Sequence, residues 1–191
     1  MAKVVVSEFV SVDGVMEDPG GVEGFDRGGW AFQFDRGPEG DQYKLDEALA
    51  SDALLLGRVT YEGFAQAWPG RTGEFADKFN GMQKYVVSST LNEPGWQNST
   101  VIKGKVADEV SRLKQADGGD ILVNGSAQLV QALMDHDLVD EYRLMVFPVV
   151  LGAGKRLFGE TRDTAALHLV DTKPVGECVI LTFESAKKEA E

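Results

Sequence analysis

Three places in this chain put anion-holding groups where a strand is expected to end. Leu54-Leu55-Leu56 reads as a short buried strand, Gly57 breaks it, and a helix is expected over Val59–Ala67. The first turn of a helix has unpaired N–H groups and a partial positive charge, so it suits phosphate. Arg58 adds a planar cationic fork at the same spot; the plainer alternative is a turn with a solvated arginine. A second junction repeats the pattern, with a strand Asp120–Val123, then Asn124-Gly125-Ser126, then a helix Ala127–Met134. At the third, a strand over Lys84–Ser88 runs into Ser88-Ser89-Thr90. A dinucleotide fits one extended site across the three, with its pyrophosphate on the Gly125-Ser126 helix start. A 2′-phosphate held by Arg58 and hydroxyls of Ser88, Ser89 or Thr90 favours NADP over NAD.

Other chemistries find less in the chain. No Gly-x-Gly-x-x-Gly follows the first strand, and Gly152-Ala153-Gly154-Lys155-Arg156 lacks the spacing and the Ser or Thr of a Walker loop. There is no Gly-x-Ser-x-Gly elbow for a serine hydrolase. His136, His168 and the single Cys178 make no metal-ligand cluster and allow no intrachain disulfide. With 31 acidic against 19 basic residues the formal charge is −12, which repels nucleic-acid backbones and requires any anionic ligand to be held by a local site. No apolar run reaches the length of a membrane span, and with no signal-like N-terminus the expected location is the cytoplasm.

The elements that must position these groups alternate. A β-branched strand over Lys3–Val10 ends in Ser11-Val12-Asp13-Gly14. The stretch from Asp18 to Gly40 holds seven glycines, with Phe25, Trp30, Phe32 and Phe34 among them. It reads as a long flexible segment, part of which packs, and as a candidate lid. Helices follow over Gly40–Ala50, Val59–Ala67 and Gly73–Met82, and a short strand over Ser99–Ile102. A helix over Val106–Ala116 closes at Asp117-Gly118-Gly119. A long strand Leu138–Phe147 stops at Pro148. Strands Ala165–Asp171 and Glu177–Glu184 pair across Lys173-Pro174-Val175-Gly176, and Ser185–Glu191 is a charged, frayed tail. The reading is one α/β domain over 1–191, with a mostly parallel central sheet of about eight strands, an antiparallel C-terminal edge and helices on both faces.

Five segments in order resemble one superfamily. They are Ser11-Val12-Asp13-Gly14, Gly57-Arg58-Val59-Thr60-Tyr61-Glu62, Val86-Val87-Ser88-Ser89-Thr90, Ile121-Leu122-Val123-Asn124-Gly125-Ser126, and Pro148–Phe158 with its Leu151-Gly152-Ala153-Gly154-Lys155-Arg156. Together, over Lys3 to Phe183, they resemble the dihydrofolate reductases. The nearest branch is the reductase domain at the C-terminus of bifunctional riboflavin biosynthesis proteins (RibD-type) and its stand-alone relatives. Asn124-Gly125 stands where dihydrofolate reductases carry adjacent glycines, which suits the riboflavin-type branch.

The resemblance implies NADPH as cofactor and a small-molecule substrate, in a homodimer. Arg58 resembles the 2′-phosphate arginine, and Thr60 the threonine at the helix start near the pyrophosphate. Ser88 and Ser89, with Thr90, resemble the adenosine end. Asn124, Gly125 and Ser126 resemble the turn under the pyrophosphate, beside Gly57. Ser11, Asp13 and Gly14 resemble the loop near the nicotinamide. Gly152 and Gly154 resemble the loop beside the substrate, where Lys155 and Arg156 either hold a substrate phosphate or are solvated. Ungapped counting back from Gly57 puts Asp41 where dihydrofolate reductases keep their acid; the alternative is a surface helix residue. The implied activity is hydride transfer to a small heterocycle or carbonyl, the best-named substrate being 5-amino-6-(5-phosphoribosylamino)uracil. Alternatives are a dihydrofolate or other pterin reductase, and a nucleotide-binding protein without turnover.

Overall fold

The first strand, β1 (Val4–Ser11), is buried along nearly its whole length and sits in the middle of the sheet. A run of valines suits that place, because β-branched side chains pack on a pleat covered from both sides. A computed structural model describes residues 1–116, 118–159 and 164–186 of the chain. After β1 come α1 (Gly37–Ala50), β2 (Ser51–Gly57), α2 (Arg58–Ala67), α3 (Glu74–Gly81), β3 (Gln83–Val87) and β4 (Ser99–Ile102). Then follow α4 (Val106–Gln115), β5 (Asp120–Val123), α5 (Ala127–Asp135), β6 (Glu141–Phe147), β7 (Leu167–Val175) and β8 (Cys178–Ser185).

The eight strands form one sheet in the order β4-β3-β2-β5-β1-β6-β8-β7. β1 to β6 pair in parallel, and β8 lies antiparallel between β6 and β7. Side chains alternate faces along each strand, and the core divides accordingly. Val4, Val6, Leu55 and Val123 pack with Val110 of α4 and Leu129, Val130 and Leu133 of α5. Val5, Leu54, Leu56 and Leu122 pack with Ala48 of α1, Tyr61 of α2 and Phe79 of α3. The expected mostly parallel sheet, its antiparallel C-terminal edge and the helices on both faces are all present. Among the described residues no helix is long and apolar enough to cross a membrane.

Three local expectations change. The link read at Lys173-Pro174-Val175-Gly176 is mostly strand, since β7 runs through Pro174 to Val175 and only Gly176-Glu177 turns. Proline is tolerated because β7 is an edge strand, where a missing N–H breaks no second ladder. β6 starts at Glu141, three residues later than expected. The segment from Asp18 to Gly40 is built rather than loose. Trp30 begins a 3-10 turn (Trp30–Gln33), is buried, and meets Phe147 edge-on at 5.4 Å between centroids. Asp117 and residues 187–191, read as a helix stop and a frayed tail, lie outside the described residues.

Candidate functional site

The carboxyl ends of β1, β2, β3 and β5 bring the expected junctions to one edge of the sheet. Gly57 N–H donates to the Gly125 carbonyl at 3.0 Å, so the second and fifth strands are joined just beyond their ladder. Gly57 has φ −72° and ψ 158°, which any residue adopts. It is glycine because a Cβ there would run into Ser126 Oγ and lie 3.0 Å from Ser126 Cβ. Gly125 has φ +100°, and its Cβ would stand 2.8 Å from Thr60 Oγ1. The two glycines therefore interlock the starts of α2 and α5. Neither helix has a side-chain cap hydrogen bond, which leaves first-turn N–H groups available to a ligand.

The neighbouring junction is one rung away. Gly57 pairs with Val87 at the end of the β2–β3 ladder, which sets Arg58 beside Ser88. Arg58 bonds Glu62 at 2.8 and 3.0 Å in a half-exposed pair of the kind worth about 0–1 kcal/mol, weak enough for a phosphate to displace. Ser88 Oγ accepts from Thr90 N at 3.2 Å and Leu91 N at 2.9 Å, so it shapes its own turn. Ser89 and Thr90 are exposed.

The turn after β1 is tied to the Leu151-Gly152-Ala153-Gly154 loop. Ser11 Oγ donates to Asp13 Oδ1 at 2.7 Å, and Asp13 accepts from Leu151 N at 3.0 Å and Gly152 N at 2.8 Å. These bonds, that of Ser11 first, hold the Asp13 carboxyl down at about 2. Gly14 makes the turn at φ +78°, its N–H donating to the Ser11 carbonyl. Gly154, at φ +114°, has no room for a Cβ, which would meet Val15 Cγ1 at 2.7 Å. Lys155 pairs with Glu17 at 2.8 Å, and Arg156 Nε donates to the Asp13 carbonyl at 3.0 Å. Both cations expected to hold a substrate phosphate or to be solvated are thus paired with the segment after β1, in exposed contacts like that of Arg58 with Glu62.

A loop hangs from Asp18. Its buried carboxylate accepts from Val22 N at 2.7 Å, Glu23 N at 3.0 Å and Phe25 N at 3.1 Å. Gly29 N–H closes the neck on the Asp18 carbonyl at 2.9 Å. Between this loop (Val22, Glu23) and α2 (Val59, Glu62, Gly63, Gln66) lies a cleft of about 400 Å³. A larger hollow of about 710 Å³ lies against Tyr61, Pro69 and Trp96, and neither space is lined by an expected site residue, although the smaller one borders α2 next to Arg58 and Thr60.

Asp41 does not take the place of an inward acid. It sits on α1 with its side chain 65% exposed, bonded to Arg36 Nε at 2.5 Å. The reason is helical phase, because the carboxylate of α1 that reaches the sheet is Glu47, six residues on. Ser7 Oγ donates to Glu47 Oε2 at 2.8 Å, and Lys44 Nζ bonds Ser7 Oγ at 2.5 Å and also Glu47. Lys44 and Arg36 stand over the Phe9 ring at 5.6 and 5.3 Å. Glu8, next along β1, is buried, and loss of solvent pushes its carboxyl well above the usual range against the pull of Lys44. The sequence signal for this group was a lone Ser-Glu inside an apolar strand, Ser7-Glu8 between Val6 and Phe9. Among the described residues no group of three or more His, Cys, Asp or Glu is placed to hold a metal.

A parallel sheet with this strand order, one antiparallel insertion near its edge and uncapped helices at its carboxyl ends is the dihydrofolate reductase-like class of fold. Solved structures agree. The chain superposes on a crystal structure named “Putative riboflavin biosynthesis protein” from Shewanella sp. PV-4 with TM-score 0.74, at 24% identity, over 98% of this chain and 100% of that one. It superposes on dihydrofolate reductase from Enterococcus faecalis, solved with NADP(H) and RAB-propyl, with TM-score 0.59 at 14% identity over 97% of each chain. The chain belongs to the RibD C-terminal domain family, whose model matches residues 2–181. Among its relatives, protein YwjB of Bacillus subtilis (strain 168) is 32% identical over 185 residues, 96% of this chain and 98% of that one. YyaP of the same organism is 34% identical over 134 residues, 68% of this chain and 71% of that one.

Proposed function

We propose that this chain is a reductase that uses NADPH to deliver hydride to a C=N or C=O carbon of a small heterocyclic or carbonyl substrate. The observation that carries the reading is the Gly57–Gly125 cradle, where two uncapped helix starts meet at the ends of adjacent strands. The residues fit a dinucleotide: both helix starts lack a side-chain cap, and Arg58 and the Ser88–Thr90 turn stand one rung away. When bound, the nicotinamide supplies the hydride, and the protein's part is position, charge and dryness.

The α2 and α5 first turns would hold the pyrophosphate, and Arg58, paired only weakly with Glu62, would be available to the 2′-phosphate. Asp13 fixes the loop at Leu151 and Gly152, and the Asp18 loop walls the cleft from water. Lys44 Nζ, braced by Ser7 and paired with Glu47, fixes α1 against β1. The family and the name of the Shewanella structure support a phosphorylated ribosylaminopyrimidine as the acceptor. A pterin has less support, because Asp41 is tied to Arg36 on the exposed side of α1. Assembly as a homodimer belongs to the same proposal and is read by light scattering. The test of the reading is titration with NADPH and NADH, followed by tryptophan fluorescence. Saturable binding with NADPH preferred is expected, and Arg58→Ala should remove most of that preference. Binding of neither dinucleotide would refute the reading.

A further inference from the structure

α2 opens on a cation, which is the wrong charge for that place. Arg58 is its first residue, no acidic residue stands in the first turn, and no side chain caps it. A helix start carries a partial positive charge, so an arginine there works against the dipole. The i,i+4 pair with Glu62 also runs in the weaker order, cation first. Helix stability therefore gives little reason for this pair, and its geometry gives another. Both Glu62 carboxylate oxygens accept from one nitrogen, Arg58 Nη1, at 3.0 and 2.8 Å. An anion is thus already seated on the guanidinium that stands beside the Ser88 end of β3. The two side chains are 43% and 45% exposed, so another anion can reach the pair and exchange with it.

We propose that Glu62 is an internal stand-in for the 2′-phosphate. Its carboxylate holds Arg58 while no dinucleotide is bound, gives way to a phosphate carried by a docked dinucleotide, and keeps free phosphate anions off. The inference rests on the reductase reading and adds to it a residue that sets how strongly the 2′-phosphate is preferred. The physical reason is effective concentration. Glu62 is tethered to Arg58 by one turn of helix, and a short tether keeps a partner at about millimolar concentration or above. Free phosphate has to displace it from dilute solution. The 2′-phosphate of a dinucleotide seated on the α2 and α5 starts is tethered as well, and it brings about −1.5 to −2 charges against one. NADP has to break the pair and NAD does not, so Glu62 lowers the preference for NADP by the worth of the pair, which for an exposed one is up to about fivefold. Once released, the carboxylate stays in water, because Glu62 borders both of the hollows that flank α2. Glu62 acts through Arg58 and is a positioning residue.

The experiment separates Glu62 from Arg58. Wild type, Glu62→Gln, Arg58→Ala and the double variant are titrated with NADP and with NAD, followed by tryptophan fluorescence. The NADP titrations of wild type and Glu62→Gln are repeated in inorganic phosphate and in chloride at equal ionic strength. Glu62→Gln should tighten NADP by about two- to fivefold and leave NAD unchanged. The double variant should bind both dinucleotides as Arg58→Ala does. Phosphate should weaken NADP binding no more than chloride in wild type, and severalfold more than chloride in Glu62→Gln. An NADP-to-NAD ratio that does not change in Glu62→Gln, or that rises by the same factor with Arg58 removed, overturns the inference and leaves the reductase reading standing. So does phosphate that competes equally in the two proteins. Failure of wild type to bind either dinucleotide overturns both.

Discussion

Gly57→Ala should destabilise the chain for a reason that has nothing to do with backbone freedom. At φ −72° and ψ 158° alanine is fully at ease, and by restricting the unfolded chain it would add about 0.4–1 kcal/mol of stability. Against this stands the new Cβ, which runs into Ser126 Oγ, lies 3.0 Å from Ser126 Cβ and 3.1 Å from its backbone N. Forcing a methyl group into such a contact costs about 1–3 kcal/mol. The expected net loss is about 1–2 kcal/mol, which for a chain of this size lowers Tm by roughly 2–8 °C. Ser126→Gly removes two of the three clashing atoms. Because the Ser126 side chain makes no cap bond, the single change should cost only a few tenths of a kcal/mol. The double variant should therefore recover most of the loss, giving a coupling of about 1–2 kcal/mol. Urea unfolding of the four proteins, followed by tryptophan fluorescence, measures it. Strict additivity within about 0.5 kcal/mol would show that Gly57 is not small for the sake of Ser126, and the interlock would fall.

The Asp13 carboxyl is held at about 2 against its ordinary 3.8, so its contribution is complete above pH 3.8 and fades as pH falls toward 2. Hydrogen exchange at Leu151 and Gly152 should quicken over that window in wild type and be quick at all pH in Asp13→Ala; a flat wild-type profile would refute the clamp. Lys84 is wholly buried, its Nζ bonded to the Asn80, Met82 and Gln97 carbonyls, and burial pulls it down to about 8. Between pH 8 and 10.5 the unfolded chain then binds more protons than the folded one, so stability should rise with pH in that window. Lys84→Met should abolish the rise and, by orphaning three carbonyls, lower stability by about 2–4 kcal/mol; unchanged urea curves would contradict this. Asp18→Ala should release three N–H groups and speed exchange over residues 22–29 by more than tenfold, with the sheet amides unaffected.

What could be read from the chain beforehand was whatever is decided within a few residues. Valine runs became strands, and Gly57 and Gly125 marked helix starts because a strand-to-helix turn is local chemistry. The limits appeared wherever a partner is distant. Lys155 and Arg156 read as phosphate-binding or solvated cations, and their pairing with Glu17 and Asp13, about 140 positions earlier, leaves no mark in the local sequence. Asp41 was placed by counting, and a count carries no helical phase; Glu47 carries the inward carboxylate instead. Ser7, Glu8 and Lys44 carry no local signal, because a polar pair inside an apolar strand has meaning only once α1 is set against it. Pro174 suggested a link because its edge position is a property of the whole sheet.

The Asp18 loop also bears on how such a chain can change. Its two ends meet at a neck where a Cβ on Gly21 would touch Gly29 Cα at 3.0 Å, and its three inner N–H bonds all return to one carboxylate. Residues 22 to 28 therefore hang on a single side chain, and the bond from Arg27 to the Leu151 carbonyl ties them to the turn after β6. One wall of the cleft beside α2 thus stands on one carboxylate, while the Gly57–Gly125 contact is set between neighbouring strands in the middle of the sheet.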